Sequence, residues 1–348
     1  MRSHIKIVSK KGFAAVYQFL NKSKSDSRVK FLWNNIMMKV NTLGKTGLRV
    51  SKIGFGCAPL GNGYGEVSAA EGTRAVHHAI DAGVNFFDTS TYYGETLSEN
   101  RLGEALKGKR EKVVLATKGG RFGLELETGF DFTYDNIIRM CEASLKRLQT
   151  DWLDVYQLHD IEFGRPEVVL EGIRALYDLK KQGKVRFIGV TGFPVELLRD
   201  MVTAHDFDVT LSYCHGNLLN QRMNEVLVPA VKSKRMGLIN ASVTHMGILT
   251  HQGEQDWHPA SAAVKAAGRR AAEFCAAQGV SLPELAIQFA LQNPHADITL
   301  LGTRTTAELE SSLALVDRPI DKALLAKVQE IIAPVKDMSW PSGYWDAE

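Results

Sequence analysis

The chain has 348 residues, 45% of them hydrophobic and 23% charged, and a formal net charge of +3. That length suits one large domain or two ordinary ones, and the composition is that of a water-soluble globular protein. No apolar run reaches the ~18 residues a membrane helix requires. The charge is uneven: residues 1–36 hold eight Lys/Arg against Asp26 alone, leaving 34 basic and 38 acidic residues beyond them, which excludes a nucleic-acid surface on the body.

In chain order, residues 1–36 come first, basic and serine-containing but without a repeat of core-facing positions. They read as an extension, either an upstream start preceding Met37 and Met38 or an organelle-targeting segment. From 37 to 348 strand and helix signals alternate as in a single domain. Ile53 to Pro59 reads as a first strand. Ser68-Ala69-Ala70-Glu71 is a capping box opening a helix that stops at Gly83. A second strand ends at Asp88, and Ser98 to Lys107 is a short helix closed by Gly108. Val113 to Thr117 runs into Lys118, and Thr133 to Leu148 follows with apolar residues at helical spacing. Leu153 to Leu158 runs into His159, and its helix starts at Pro166 and ends at Lys180-Lys181-Gln182-Gly183, cations before a glycine.

Phe187 to Thr191, Val209 to Tyr213, Gly237 to Ala241 and Ile298 to Leu301 complete the strands. Their helices are predicted from Pro194, over 225–234, over 262–277 with 283–291, and over 307–315, with a terminal helix over 322–332. Eight strand–helix pairs in roughly 270 residues define an α/β chain folded as a (β/α)₈ TIM barrel. Cys57, Cys141, Cys214 and Cys275 are widely spaced, with no Cys-x-x-Cys. They read as buried free thiols in a reducing, cytoplasmic setting, with no metal expected.

Three strands end in polar residues that a buried strand has no reason to carry. Asp88 closes Asn85-Phe86-Phe87, Lys118 follows Val113 to Thr117, and His159 follows Leu153 to Leu158. Tyr93 lies five residues after Asp88, on a turn closed by Gly94. Together Asp88, Tyr93, Lys118 and His159 form a proton-handling set at the barrel end where such folds carry chemistry. Lys118 is expected to lower the pKa of Tyr93, Asp88 to keep Lys118 charged, and His159 to orient an oxygen that Tyr93 protonates or deprotonates. Each member alone has an ordinary explanation, but not all four at equivalent strand ends.

Other constellations carry less. Gly61-Asn62-Gly63-Tyr64-Gly65 fails the G-x-G-x-x-G fingerprint because position 66 is Glu66, so it reads as a flexible loop at the barrel mouth. His77 and His78 are neighbours on a helix and point about 100° apart, which favours a surface role over a shared metal. His159-Asp160-Ile161-Glu162 is weak as a metal motif beside the four-residue set.

The set resembles the Asp, Tyr, Lys, His tetrad of the aldo-keto reductase family, and more closely its aldose 1-dehydrogenase branch. The closer likeness rests on Asn85 to Glu99, His159-Asp160-Ile161-Glu162-Phe163-Gly164, Trp257-His258-Pro259-Ala260-Ser261 and Trp340-Pro341-Ser342-Gly343. It runs from about Asn41 to Gly343. The resemblance implies a nicotinamide dinucleotide across the barrel mouth, contacted by Thr191, Gly192 and Ser242 at one end and by Gly302, Thr303, Arg304 and Glu308 at the other. Departures from the family pattern are Leu211 for a glutamine, Ala241 for the tyrosine that stacks on nicotinamide, and Ser311-Ser312 for an acidic–Asn pair.

The expected activity is oxidation of an aldose such as L-galactose, L-fucose or D-arabinose at C1, with NAD preferred over NADP and a lactone as product. Trp257, His258, Trp340 and Tyr344 are candidates for the sugar wall, because aromatic faces suit the C–H side of a sugar. A core-packing role for these aromatics is the competing reading. The expected partner is a small sugar or aldehyde, with no nucleic acid or membrane, in a monomer or small homo-oligomer. Alternatives are a general carbonyl reductase, a pyridoxal-type dehydrogenase, or a cofactor-binding regulatory subunit with little turnover.

Overall fold

Along each barrel strand, alternate residues go to two different cores. Phe86, Val114, Ala116 and Phe187 point to the barrel interior, while Phe87, Leu115, Ile188 and Val190 pack outward under the helices. Strands buried on both faces read as the unbroken apolar runs seen in the sequence. A computed structural model describes residues 38–125 and 127–344, so the expectation for residues 1–36 lies outside the described residues.

A short antiparallel hairpin comes first, β1 (Val40–Thr42) and β2 (Arg49–Ser51). Eight parallel strands follow: β3 (Ile53–Gly56), β4 (Phe86–Asp88), β5 (Val114–Gly119), β6 (Leu153–Leu158), β7 (Val185–Gly192), β8 (Val209–Tyr213), β9 (Gly237–Ala241) and β10 (Ile298–Gly302). They pair in sequence order, and β10 returns to β3 with Thr299 opposite Ile53 and Gly302 opposite Gly56, closing the barrel. The helices are α1 (Ala69–Asp81), α2 (Leu97–Ala105), α3 (Tyr134–Leu148), α4 (Pro166–Lys181), α5 (Val195–Ala204), α6 (Val228–Ser233), α7 (Ala262–Ala277), α8 (Leu282–Leu291), α9 (Thr306–Leu313) and α10 (Lys322–Ile332). This is the expected (β/α)₈ barrel. No single helix among the described residues is long and apolar enough to cross a membrane.

Four differences from the sequence reading have physical causes. The hairpin was not foreseen, and its turn residue Leu43 is fully buried in the interior cluster, plugging the end of the barrel opposite the site. Lys118 lies inside β5, paired with Gln157, because its charge finds Asp88 within the barrel. The helix expected over 225–234 opens earlier, as a wide π turn over Met223–Leu227. Pro229, at the start of α6, has no N–H to continue a regular ladder. The capping box is half formed: Ser68 Oγ accepts from Glu71 N at 3.1 Å, but the Glu71 carboxylate accepts instead from Thr306 N on α9 at 3.1 Å.

Candidate active site

Asp88 is the last residue of β4, and its position is set by pairing with Ala116 of β5 and Gly56 of β3. Lys118 Nζ donates to Asp88 Oδ1 at 2.5 Å, to the Thr89 carbonyl at 2.9 Å and to the Tyr93 hydroxyl at 3.2 Å. The ammonium is almost wholly buried, so these three acceptors stand in for its water shell. His159 follows β6, its amide donating to the Gly119 carbonyl at 2.9 Å. Its ring lies 5.8 Å from that of Tyr93, edge to face at 88°. The four residues expected to act together are brought together.

Beyond its contacts with Lys118 and His159, Tyr93 is placed by its backbone. Its amide donates to the Ser90 carbonyl and its carbonyl accepts from Ser98 N, tying the loop to the start of α2. Gly61, in the loop after β3, packs flat against it: a Cβ there would lie 2.5 Å from the Tyr93 carbonyl oxygen. The glycine-rich loop read as flexible is therefore a wedge that holds the tyrosine.

The charge states follow from burial and neighbours. Burial alone would lower the pKa of Lys118, but Asp88 and Tyr93 outweigh it and raise it, so the amine stays protonated. Burial raises the Tyr93 phenol, and Lys118 offsets only part of that rise. The expectation that Lys118 would leave Tyr93 with a lowered pKa is corrected: desolvation is the larger effect, although solvent reaches one side of the half-buried ring. Burial pushes His159 down to about 3, so it is neutral at ordinary pH.

Residues to which the sequence assigned no catalytic or binding role complete the floor and wall. Asp160, with a left-handed backbone (φ 56°), is ion-paired with Arg121, whose guanidinium lies 3.8 Å from the centre of the Tyr92 ring. Glu162 is fully buried, and its Oε1 accepts from Phe193 N at 3.0 Å and from the Tyr213 and Ser342 hydroxyls at 3.2 Å each. Its backbone carbonyl accepts from Tyr344 N at 2.7 Å, so one residue ties β7, β8 and the C-terminal segment together. Burial first, and Asp160 second, push its carboxyl up to about 8. Among the described residues, no group of three or more His, Cys, Asp and Glu side chains is arranged to hold a metal ion. His77 and His78 also part company, one bonding the Ala105 carbonyl and the other pairing with Glu310.

The sugar-wall candidates divide. Trp340 stacks on Phe193 at 4.3 Å, just beyond the end of β7, and Tyr344 is exposed in the segment held by Glu162. Trp257 is 58% exposed and stacks on His258. His258 is corrected: it is buried, its Nε2 donates to the His245 carbonyl and its Nδ1 accepts from Ala260 N, which leaves no polar edge for a hydroxyl.

The cofactor candidates line the same end of the barrel. Thr191 exchanges hydrogen bonds with Asp160, accepting from its amide at 3.0 Å and donating to its carboxylate at 3.3 Å. Gly192 has no room for a side chain, because a Cβ would lie 2.9 Å from Glu162 Oε2. Ser242 is half-buried after β9 with φ 53°. Gly302 is exposed at the end of β10, where a Cβ would press to 3.3 Å from Pro59, and Thr303 is buried behind it. Arg304 is held by Glu308 through Nε at 2.9 Å and Nη2 at 2.6 Å, and by the Tyr64 carbonyl at 3.3 Å. Bare backbone at Gly302, where a Cβ would press on Pro59, beside a partly exposed Arg304 guanidinium is chemistry that suits an extended phosphate-bearing cofactor.

A parallel barrel with a buried lysine–carboxylate pair against a tyrosine and a neutral histidine defines an NAD(P)-dependent oxidoreductase. The chain belongs to the aldo/keto reductase family, whose model matches residues 52–333. It is 41% identical to the L-galactose dehydrogenase of Arabidopsis thaliana over 88% of this chain and 98% of that protein. It is also 30% identical to the D-arabinose 1-dehydrogenase of Saccharomyces cerevisiae over 68% and 74% of the two chains. Among solved structures, the holo form of aldo-keto reductase AKR11C1 from Bacillus halodurans matches the fold with a TM-score of 0.70 at 24% identity, covering 88% of this chain and all of that one.

Proposed function

We propose that the protein oxidises an aldose of the L-galactose type at C1, giving the lactone. The observation that carries this reading is the Lys118–Tyr93–His159 cluster, in a chain that spans nearly the whole length of an L-galactose dehydrogenase at 41% identity. A bound nicotinamide ring supplies the acceptor for the C1 hydride. Tyr93, in the phenolate form that the Lys118 ammonium stabilises, takes the proton of the C1 hydroxyl and becomes the neutral phenol. His159, neutral, hydrogen-bonds the same oxygen. Trp340 and Tyr344 offer apolar faces to the sugar, and Arg121 with Asp160 offers polar edges. Residues Thr191, Gly192, Ser242, Gly302, Thr303, Arg304 and Glu308 are the proposed cofactor contacts, with NAD favoured over NADP.

The test is a panel of L-galactose, L-fucose, D-arabinose, simple aldehydes and pyridoxal, assayed with each dinucleotide in both directions. Oxidation of one aldose with lactone as the product supports the reading. Turnover confined to aldehyde reduction or to pyridoxal would overturn it.

A further inference from the structure

Ser90 is fully buried two residues after Asp88, and its hydroxyl faces two groups. Tyr92 N donates to Ser90 Oγ at 3.1 Å, and Ser90 Oγ lies 2.9 Å from His159 Nδ1. The amide can only donate, so it takes one lone pair of the serine oxygen. The serine hydrogen must then find an acceptor, and the imidazole Nδ1 is the one in reach. Were Nδ1 protonated instead, it would donate to Ser90 Oγ and leave a buried hydroxyl hydrogen without a partner, which burial makes unfavourable.

The geometry points to Ser90 as a positioning residue that fixes His159 as the tautomer carrying its hydrogen on Nε2. A second observation agrees. Asp160 Oδ2 lies 3.6 Å from His159 Nε2, too far for a good hydrogen bond but close enough to favour an N–H over a lone pair there. The ring is neutral, so the choice of tautomer is not overridden by double protonation.

The tautomer matters because His159 and Tyr93 would address the same oxygen, a role that rests on the function proposed above. With hydrogen on Nε2, His159 donates to the C1 oxygen and stabilises the charge left as the hydroxyl proton departs to Tyr93. With the opposite tautomer, Nε2 would present a lone pair, compete with Tyr93 for that proton and give no stabilisation. Ser90 thus decides which of the two groups receives it.

The experiment is nitrogen-detected NMR of protein labelled in its histidines at neutral pH, with the His159 signals assigned by loss in His159→Gln. The expected spectrum has Nδ1 unprotonated and Nε2 protonated in the parent, and a shift toward the other tautomer in Ser90→Ala. In the same variant kcat should fall by about 10- to 100-fold with KM little changed, and Ser90→Thr, which keeps the hydroxyl, should retain the parent tautomer. A protonated Nδ1 in the parent would overturn the inference without any variant having to fold. An unshifted tautomer in folded Ser90→Ala would do the same, and a shifted tautomer with unchanged kcat would remove its role in turnover. The spectrum needs no substrate, so a wrong sugar assignment leaves it standing.

Discussion

Gly61 and Gly94 meet backbone to backbone, with no space for a side chain on either: a Cβ on Gly94 would lie 2.2 Å from the Gly61 carbonyl oxygen. This contact fixes the loop that presents Tyr93 to Lys118. Gly61→Ala should therefore displace Tyr93 as well as strain the fold. We expect a loss of about 1–3 kcal/mol and a fall in kcat/KM of tenfold or more, checked by thermal melting and steady-state rates. Full activity with an unchanged melting temperature would show that the loop is slack.

Tyr93→Phe removes only the proton-transfer oxygen, so turnover should fall by at least about 100-fold while dinucleotide affinity, measured by fluorescence quenching, stays within a few-fold. In the parent, burial holds Tyr93 protonated at rest, so sugar oxidation should speed up as pH rises above neutral and carbonyl reduction should not. Lys118→Met should cost activity similarly and also destabilise by about 3–5 kcal/mol, because Asp88 is left buried without its partner. Adding Asp88→Asn should restore much of that stability and none of the activity. Recovery of both together would place the pair outside the chemistry.

The tetrad was legible because Asp88, Lys118 and His159 interrupt apolar runs whose period already pointed to buried strands. The barrel was legible for the same reason, since eight such runs alternate with helical segments. Ser90, Arg121 and Glu162 were not, because in sequence they are ordinary polar loop residues, and only packing buries them. Glu162 did have a faint signal, lying three residues after His159 in a stretch already noticed. His258 failed in the opposite way: an imidazole next to an exposed tryptophan resembles a sugar ligand until both its nitrogens are seen to bond backbone. The hairpin escaped because its strands are three residues long and mostly polar.

Glu162 should leave a mark on the pH dependence of stability. Its folded pKa, about 8, lies above the ordinary value of 4.5, so the folded state binds the extra proton between those limits. Stability from this group is complete below about pH 4.5 and is lost as pH rises through 8. Glu162→Gln keeps an acceptor for Phe193 N and the Tyr213 and Ser342 hydroxyls but cannot ionise. The parent melting temperature should fall across that window more steeply than the variant's, with the variant the more stable at alkaline pH. Parallel curves would show that the carboxyl titrates normally.

If the proposed cofactor contacts hold, the choice of dinucleotide turns on how Glu308 holds Arg304. The carboxylate accepts from the guanidinium at 2.6 and 2.9 Å and from Arg304 N at 2.8 Å, so the arginine best placed to meet a 2′-phosphate is already neutralised. Glu71 adds a second carboxylate nearby, bonded to Thr306 N. A free 2′-hydroxyl can donate to such a carboxylate, whereas a 2′-phosphate must approach two acids and detach Arg304 from its partner. Both side chains of the pair are more than a third exposed, so the preference should be modest, on the order of 1 kcal/mol. That corresponds to a few-fold advantage in kcat/KM for NAD, with NADP still accepted. Glu308→Gln frees the guanidinium and should move the ratio toward NADP by about fivefold, more at low salt than at high, because an exposed charge pair is screened. Arg304→Ala should move it the other way. The measurement is kcat/KM with both dinucleotides at one sugar concentration and two ionic strengths. A parent that favours NADP at both salts, or a Glu308→Gln variant that moves toward NAD, would show that the ribose is read by other residues.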